Sequence, residues 1–292
     1  MSATPKVSVI VPHYRDLAAL DLSLRLLEAQ SFPRNDFEIV VADNGTPERA
    51  ELEALVVGRA RLVVVAERGA GLARNGGVAA ARGQILAFTD SDCQPEPGWL
   101  AAGVEALSRY DFVGGRVKVL VADPTHLTAT ESFERVFAFD FKTYIARKGF
   151  TGAGNLFCPR SVFERVGGFR AGVSEDVDWS HRARALGFSL GYEPRAVVGH
   201  PARRTWKELT LKWHRVNRET FRLSSAKRGG SILWLLKTCL LPASAVAHSP
   251  RVLFSRDLSS SAQRFAALSV LYRIRLWRFR DSLRVLAARG SN

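Results

Sequence analysis

Between Val7 and Thr89, short apolar runs alternate with stretches in which apolar positions recur every three or four residues. Val7 to Val11 is a β-branched run of strand length, and its spacing predicts an end at Pro12, whose missing N–H interrupts a sheet ladder. Leu17, Leu20, Leu24 and Leu27 follow at helical spacing, and Phe37 to Ala42 reads as a second strand closed by Asp43-Asn44-Gly45. Thr46 before Pro47 reads as an N-cap with proline in the first turn of a second helix, ahead of a strand from Arg61 to Ala66. The Gly69-Ala70-Gly71 turn opens a small-residue helix through Ala81, and Ile85 to Thr89 is a fourth strand ending at Asp90-Ser91-Asp92. This alternation predicts an α/β fold with a mostly parallel sheet and helices on both faces, and the near-continuous apolar strands agree with double burial.

Beyond residue 110 the pattern is less regular. A strand is expected over Val117 to Val121, a helix over Thr128 to Phe141 and a polar, glycine-rich loop from Lys148 to Asn155. Ser161 with Glu164 has capping-box spacing at the head of a short helix ending at Gly167-Gly168. A further helix is expected from near Ser174 to Leu186, with Glu175, Asp176 and Asp178 in its first turn, and Ala196 to His200 is a β-branched run. In the tail, Ser231 to Ala247 is the most apolar part, but Lys237 and Pro242 interrupt it and it falls short of the roughly 20 residues a spanning helix needs. It reads as an interfacial or buried helical pair. Phe265, Leu268, Tyr272, Leu276, Phe279, Leu283 and Leu286 fall on one helix face, with Val270, Ile274 and Trp277 as a second, smaller stripe.

Charge divides the chain where hydropathy does not. Residues 1–200 carry 23 Lys and Arg against 24 Asp and Glu, whereas the remaining residues carry 19 against 4. We therefore expect a catalytic domain over 1–204 and a basic, amphipathic helical extension over 205–292 that meets an anionic membrane surface. Self-association or simple cover of the first domain are the other readings of that extension. No nucleic-acid partner is expected, because the tail carries no recognised nucleic-acid-binding fold. Cys93, Cys158 and Cys239 are odd in number, far apart and without zinc spacing, and no secretory signal opens the chain, so a cytoplasmic location at the membrane's inner face is expected.

In a doubly covered parallel sheet, ligands bind beyond the carboxyl ends of the strands, which groups Tyr14, Asp43 and Asp90-Ser91-Asp92 around one crevice. By itself the acidic trio reads equally as a solvated turn. At that edge, Asp90 and Asp92 suit a hard divalent cation, Mg²⁺ or Mn²⁺, that also meets phosphate oxygens. His200, structural if taken alone, becomes a third ligand if its strand returns to the same edge. Glu175-Asp176-Val177-Asp178 either complements a helix N-terminus or presents Asp176 as a general base, and Trp179 is either a wall for a sugar face or a core residue. Gly71 to Gly77 matches neither the Walker nor the dinucleotide fingerprint, although Arg74 and Asn75 remain within reach of a nucleotide.

In their joint order these segments resemble glycosyltransferase family 2, over roughly Val7 to His200. The segments are Val7–Tyr14, Val40–Gly45, Ala73–Asn75, Phe88–Asp92, Gly152–Asn155 with Val166–Phe169, and Glu175–Asp178. The resemblance implies a GT-A fold and an inverting transfer from a nucleoside-diphosphate sugar to a hydroxyl of a glycan or lipid-linked acceptor. It implies nucleotide-sugar contacts at Pro12, Tyr14, Asp43, Arg74, Asn75, Asp90 and Ser91, and acceptor contacts at Gly154, Asn155, Glu175 and Trp179. It further implies a metal on Asp90, Asp92 and His200, and Asp176 as base. What the family commonly uses favours uridine and deoxythymidine donors. The competing readings are a nucleotidyltransferase, against which the lack of a basic triphosphate loop near Pro12 counts, and a non-catalytic, membrane-docked binding module.

Overall fold

A computed structural model describes residues 4–226 and 228–288. The first four strands are β1 (Val7–His13), β2 (Phe37–Asp43), β3 (Arg61–Val64) and β4 (Ile85–Thr89), joined by helices α1 (Leu17–Glu28), α2 (Arg49–Val56) and α3 (Ala70–Ala80). They pair in parallel in the order β3-β2-β1-β4, and every residue of β1 and β2 is buried. This is the strand–helix alternation expected from the hydropathy. The sheet then continues with antiparallel partners. After β5 (Gln94–Pro95), α4 (Trp99–Ala106), β6 (Phe112–Leu120), α5 (Ala129–Phe137) and the single turn α6 (Phe141–Thr143) comes β7 (Asn155–Pro159), a strand that apolar alternation did not reveal. β7 lies between β4 and β6, and α7 (Arg160–Val166) and α8 (Glu175–Ala185) lead to β8 (Leu190–Pro201). The result is a mixed, eight-stranded sheet, consistent with the GT-A fold.

Three local expectations are corrected. β1 runs through Pro12 to His13, since β4 pairs with β1 only as far as Ile10 and a proline beyond it interrupts nothing on that side. α2 begins at Arg49 rather than after Thr46, whose hydroxyl donates to Asp43 instead of capping a helix. α7 begins at Arg160 after Pro159, with no side-chain cap from Ser161.

The chain divides into two compact units. The first comprises residues 1–118, 140–171 and 175–200, and the second comprises 119–139, 172–174 and 201–292. Composition draws the boundary at 204, but α5 belongs with the helical unit because Phe133 and Val136 share a core with Leu209, Val252, Val270 and Ile274. The other helices of that unit are α9 (Trp206–Ser225), α10 (Gly230–Cys239), α11 (Leu241–Leu253) and α12 (Ser261–Ala287). Capping boxes at Thr128/Glu131 and Thr205/Glu208 start α5 and α9. Glu134 is buried in this unit and accepts from Arg203 Nη1 at 3.1 Å and Lys212 Nζ at 3.2 Å.

Of the two stripes of α12, the smaller is the one buried in the helical unit. Val270 and Ile274 are buried in the core, and Trp277 packs against it. Phe265, on the larger stripe, is 76% exposed, and Tyr272, Leu276 and Leu283 are exposed with it. Along α10 and α11 a second run is exposed, through Ile232, Leu236, Leu240, Val246 and Leu253. Among the described residues no single helix is long and apolar enough to cross a membrane; α10 and α11 together meet that length and composition but are bent by 56°.

Candidate active site

Parallel pairing sets the carboxyl ends of β1, β2 and β4 side by side, since Val7–Ile10 pairs with Ile85–Phe88 and His13 with Asp43. At the β1–β2 end the Asp43 carboxylate is buried and accepts from Gly45 N, Thr46 N and, at 2.6 Å, Thr46 Oγ1. Thr46 Oγ1 in turn accepts from Arg15 N, and Arg15 takes the left-handed conformation at φ 69°. This turn leaves Tyr14 at the surface, with the Arg15 guanidinium 4.9 Å from the centre of its ring. Pro12 is buried in β1. His13 is buried and, among the described residues, neither ring nitrogen has a hydrogen-bond partner; burial pushes its pKa below the ordinary histidine value, with Asp43 and Asp16 opposing.

At the end of β4 the chain turns through Asp90, Ser91 and Asp92, closed by Cys93 N donating to Asp90 O at 3.0 Å. The turn brings ligand atoms of Asp90, Asp92 and Cys93 within 4.8 Å of one another. β5 pairs with β8 through Gln94–Gly199, which carries His200 to the same place, its Nε2 3.5 Å from Asp92 Oδ2. The return of the His200 strand, on which its reading as a ligand depended, is therefore present. Two carboxylates and an imidazole form an oxygen–nitrogen donor set that fits a divalent cation of the Mg²⁺ or Mn²⁺ type. Cys93 was not singled out for chemistry from sequence; its place three residues after Asp90, in the same turn, is the signal that finds it. Burial first, then the charges of Asp90 and Asp92, push its thiol well above the ordinary range, so it stays protonated.

Arg74 joins this turn to α8. Buried in α3, it donates to Asp90 Oδ1 and, at 2.6 Å, to Glu175 Oε1. Burial works against its charge, but Asp90 and Glu175 outweigh that and hold it above the ordinary guanidinium range. Asp176 follows Glu175 in the half-buried first turn of α8, and its charge also acts on Arg74. Gly154 borders the same carboxylate: a Cβ there would lie 2.7 Å from Asp90 Oδ2, so only glycine leaves that oxygen in place. Asp90, Asp92, His200, Arg74, Glu175, Asp176 and Gly154 thus belong to one cluster, with half-buried Ser91 in its turn.

Other residues singled out from the sequence are elsewhere engaged. Asn75 exchanges two hydrogen bonds of 2.8 Å with the Phe169 backbone, which joins α3 to the segment before α8. Asn155 is fully buried: it accepts from Trp99 Nε1 at 2.9 Å and donates to Arg116 O and Ala196 O at 3.0 Å. It ties β7 to β6 and β8. Trp179 is fully buried against Phe112, Phe163 and Phe169 and donates to Gly167 O, so the core reading prevails over the sugar-wall reading. Its four-residue-period neighbour Ala183 is buried with it, which is the pattern of a helix face turned to a core.

Comparison with known proteins adds independent observations. Residues 8–174 match the model of glycosyl transferase family 2. The chain is 32% identical to glycosyltransferase AglE of Haloferax volcanii over 80% of its own length and 81% of that protein's. It is 25% identical to the probable glycosyltransferase YdaM of Bacillus subtilis over 74% of the chain and 56% of YdaM. Among solved structures, the mannosyltransferase PcManGT from Pyrobaculum calidifontis, in complex with GDP-Man and Mn²⁺, superposes with a TM-score of 0.55 at 18% identity, covering 99% of this chain and 76% of the other.

Proposed function

The chain belongs to glycosyl transferase family 2 and is a glycosyltransferase of GT-A type, and from that premise we propose an inverting, metal-dependent transfer from a nucleoside-diphosphate sugar to a hydroxyl of a glycan or lipid-linked acceptor. The observation that carries this reading is the convergence of Asp90, Asp92 and His200 with the Arg74–Glu175–Asp176 group at one sheet edge. Asp90, Asp92 and His200 would hold Mg²⁺ or Mn²⁺, which would supply charge neutralisation for the departing diphosphate. Tyr14 and the Asp43 turn border the nucleoside. Arg74 fixes Asp90 and Glu175, and so sets the position of Asp176 beside them. Asp176 takes the acceptor hydroxyl proton as that oxygen bonds to the anomeric carbon and the bond to the diphosphate breaks, inverting the centre.

The family model ends at residue 174, before the acidic start of α8, so the role of Asp176 rests on its place beside Arg74. Transfer at a membrane's cytoplasmic face, in cell-envelope polysaccharide synthesis, completes the proposal. It is supported by the basic charge of the helical unit and the exposed apolar run on α10 and α11. Calorimetric titration with UDP, dTDP, GDP and CDP, with and without Mn²⁺, tests the site. One diphosphate binds with metal and is lost in Asp92→Ala. Asp176→Asn retains that binding while kcat falls by about 10²–10⁴-fold. Wild-type turnover in Asp176→Asn removes it as the base; metal-independent binding removes the metal.

A further inference from the structure

The helical unit contains a cavity of its own, about 290 Å³, between α9, α10, α11 and α12. Among the described residues its charged lining residues are Lys237 and Arg278, and none of the lining residues is an acid. Asp281 lies next to it in sequence but is already held by His214 Nδ1 at 2.8 Å and Asn217 Nδ2 at 2.9 Å. The Arg278 guanidinium is stacked 3.7 Å over the Trp213 ring and donates to Asn217 Oδ1, which fixes its plane. Thr238 on α10 and Ser282 on α12 are almost wholly buried and line the cavity, each bearing a hydroxyl. Two cations with two such donors recognise a phosphate group.

The residues beside the cavity select the source of that phosphate. Trp234 walls it, packed edge-on against Phe221. One step around α10, Leu233, Leu236 and Leu240 are exposed, and Lys237 stands between the two faces. An anionic pocket ligand with an apolar chain satisfies both surfaces at once, whereas free phosphate leaves the leucines uncovered. We propose that this cavity binds the phosphate head of a lipid, its acyl or prenyl part lying along the apolar face of α10. This rests on the reading of the helical unit as membrane-associating.

The test uses the full chain and calorimetry with two soluble probes, monomeric dihexanoyl phosphatidate and inorganic phosphate. The expected result is saturable phosphatidate binding about tenfold or more tighter than phosphate, weakened about tenfold by Lys237→Gln and by the near-isosteric Thr238→Val. Arg256→Gln, which removes an exposed charge outside the cavity, leaves it unchanged. Equal loss in Arg256→Gln means diffuse attraction and overturns the site; equal affinity for the two probes overturns the lipid assignment; no saturable phosphatidate binding overturns both. Co-sedimentation with phosphatidylcholine–phosphatidylglycerol vesicles separates the two readings. Vesicle binding without phosphatidate binding refutes the cavity and leaves membrane association standing. Phosphatidate binding without vesicle binding does the reverse.

Discussion

Each unit buries a three-member ion cluster, and the two clusters have opposite stoichiometry. In the sheet unit one cation, Arg74, lies between two acids, Asp90 and Glu175. In the helical unit one acid, Glu134, lies between two cations, Arg203 and Lys212. Neither is neutral, and a buried excess charge is unfavourable unless another ion or a proton change compensates it. In the helical unit the proton responds. Burial, against the attraction of Glu134, lowers Lys212 to about 8. Burial also pushes Glu134 up, but Lys212 and Arg203 overcome it and hold that carboxyl below its ordinary range. In the sheet unit the excess is negative, and Asp92 adds to it within 4.8 Å of Asp90. A cluster with surplus acid at a strand edge is suited to an external cation; one with surplus base inside a helix bundle is complete as a structural element.

The largest effect distinguishing them is expected from Glu134→Ala, which leaves two buried cations without their acid. It destabilises the helical unit by about 3–5 kcal/mol, read from urea unfolding. Next comes Arg74→Met, which leaves Asp90 and Glu175 facing each other and costs about 3 kcal/mol by the same measurement. Mn²⁺ restores more stability to this variant than it gives the wild type, whereas it gives Glu134→Ala no more than it gives the wild type. Third, saturating Mn²⁺ stabilises the wild type by about 2.7 kcal/mol at a hundred times its dissociation constant, and Asp92→Ala abolishes the accompanying rise in Tm.

The smallest is Lys212→Met, expected to stabilise the helical unit by about 1–2 kcal/mol near neutral pH. Its sign follows from linkage. Lys212 titrates lower in the folded than in the unfolded chain, so between about 8 and the ordinary lysine value the unfolded chain binds more protons, and wild-type stability rises with pH. The advantage of Lys212→Met is therefore greatest below pH 8 and shrinks above it, which urea unfolding across pH 7–10 reads. A difference that does not vary with pH would mean that Lys212 titrates normally and that the helical cluster is not strained as described.

The parallel half of the sheet was legible because β1 and β2 are buried on both faces and read as near-continuous apolar runs, broken within by Ser8 and Glu38. β7 was not, because Asn155 opens it, and a buried asparagine with three side-chain hydrogen bonds looks polar in sequence. The stripes of α12 were found, but their orientation was not. Apolar periodicity finds a face, and only the small residues Ala267 and Ser282 beside Val270 and Ile274 mark which face packs closely. In the site, Asp90, Asp92 and His200 were readable from strand ends. The settings of Asn75 and Trp179 were not legible, because a hydrogen bond to the Phe169 backbone and a seat among aromatic rings depend on contacts far apart in the chain.

The meeting of Asp92 with His200 also bears on the order in which the protein can come into being. The residues around Asp90 and Asp92 leave the ribosome about a hundred residues before His200 does. At about 5–20 residues per second that is an interval of roughly 5–20 seconds. For about the first sixty residues of that interval the nascent chain carries the acidic turn but neither β7 nor β8, so Arg74 has Asp90 without Glu175, and the sheet is open at β4. A growing chain at that stage exposes an unpaired strand edge, and the second half of the sequence closes that edge as it delivers the histidine.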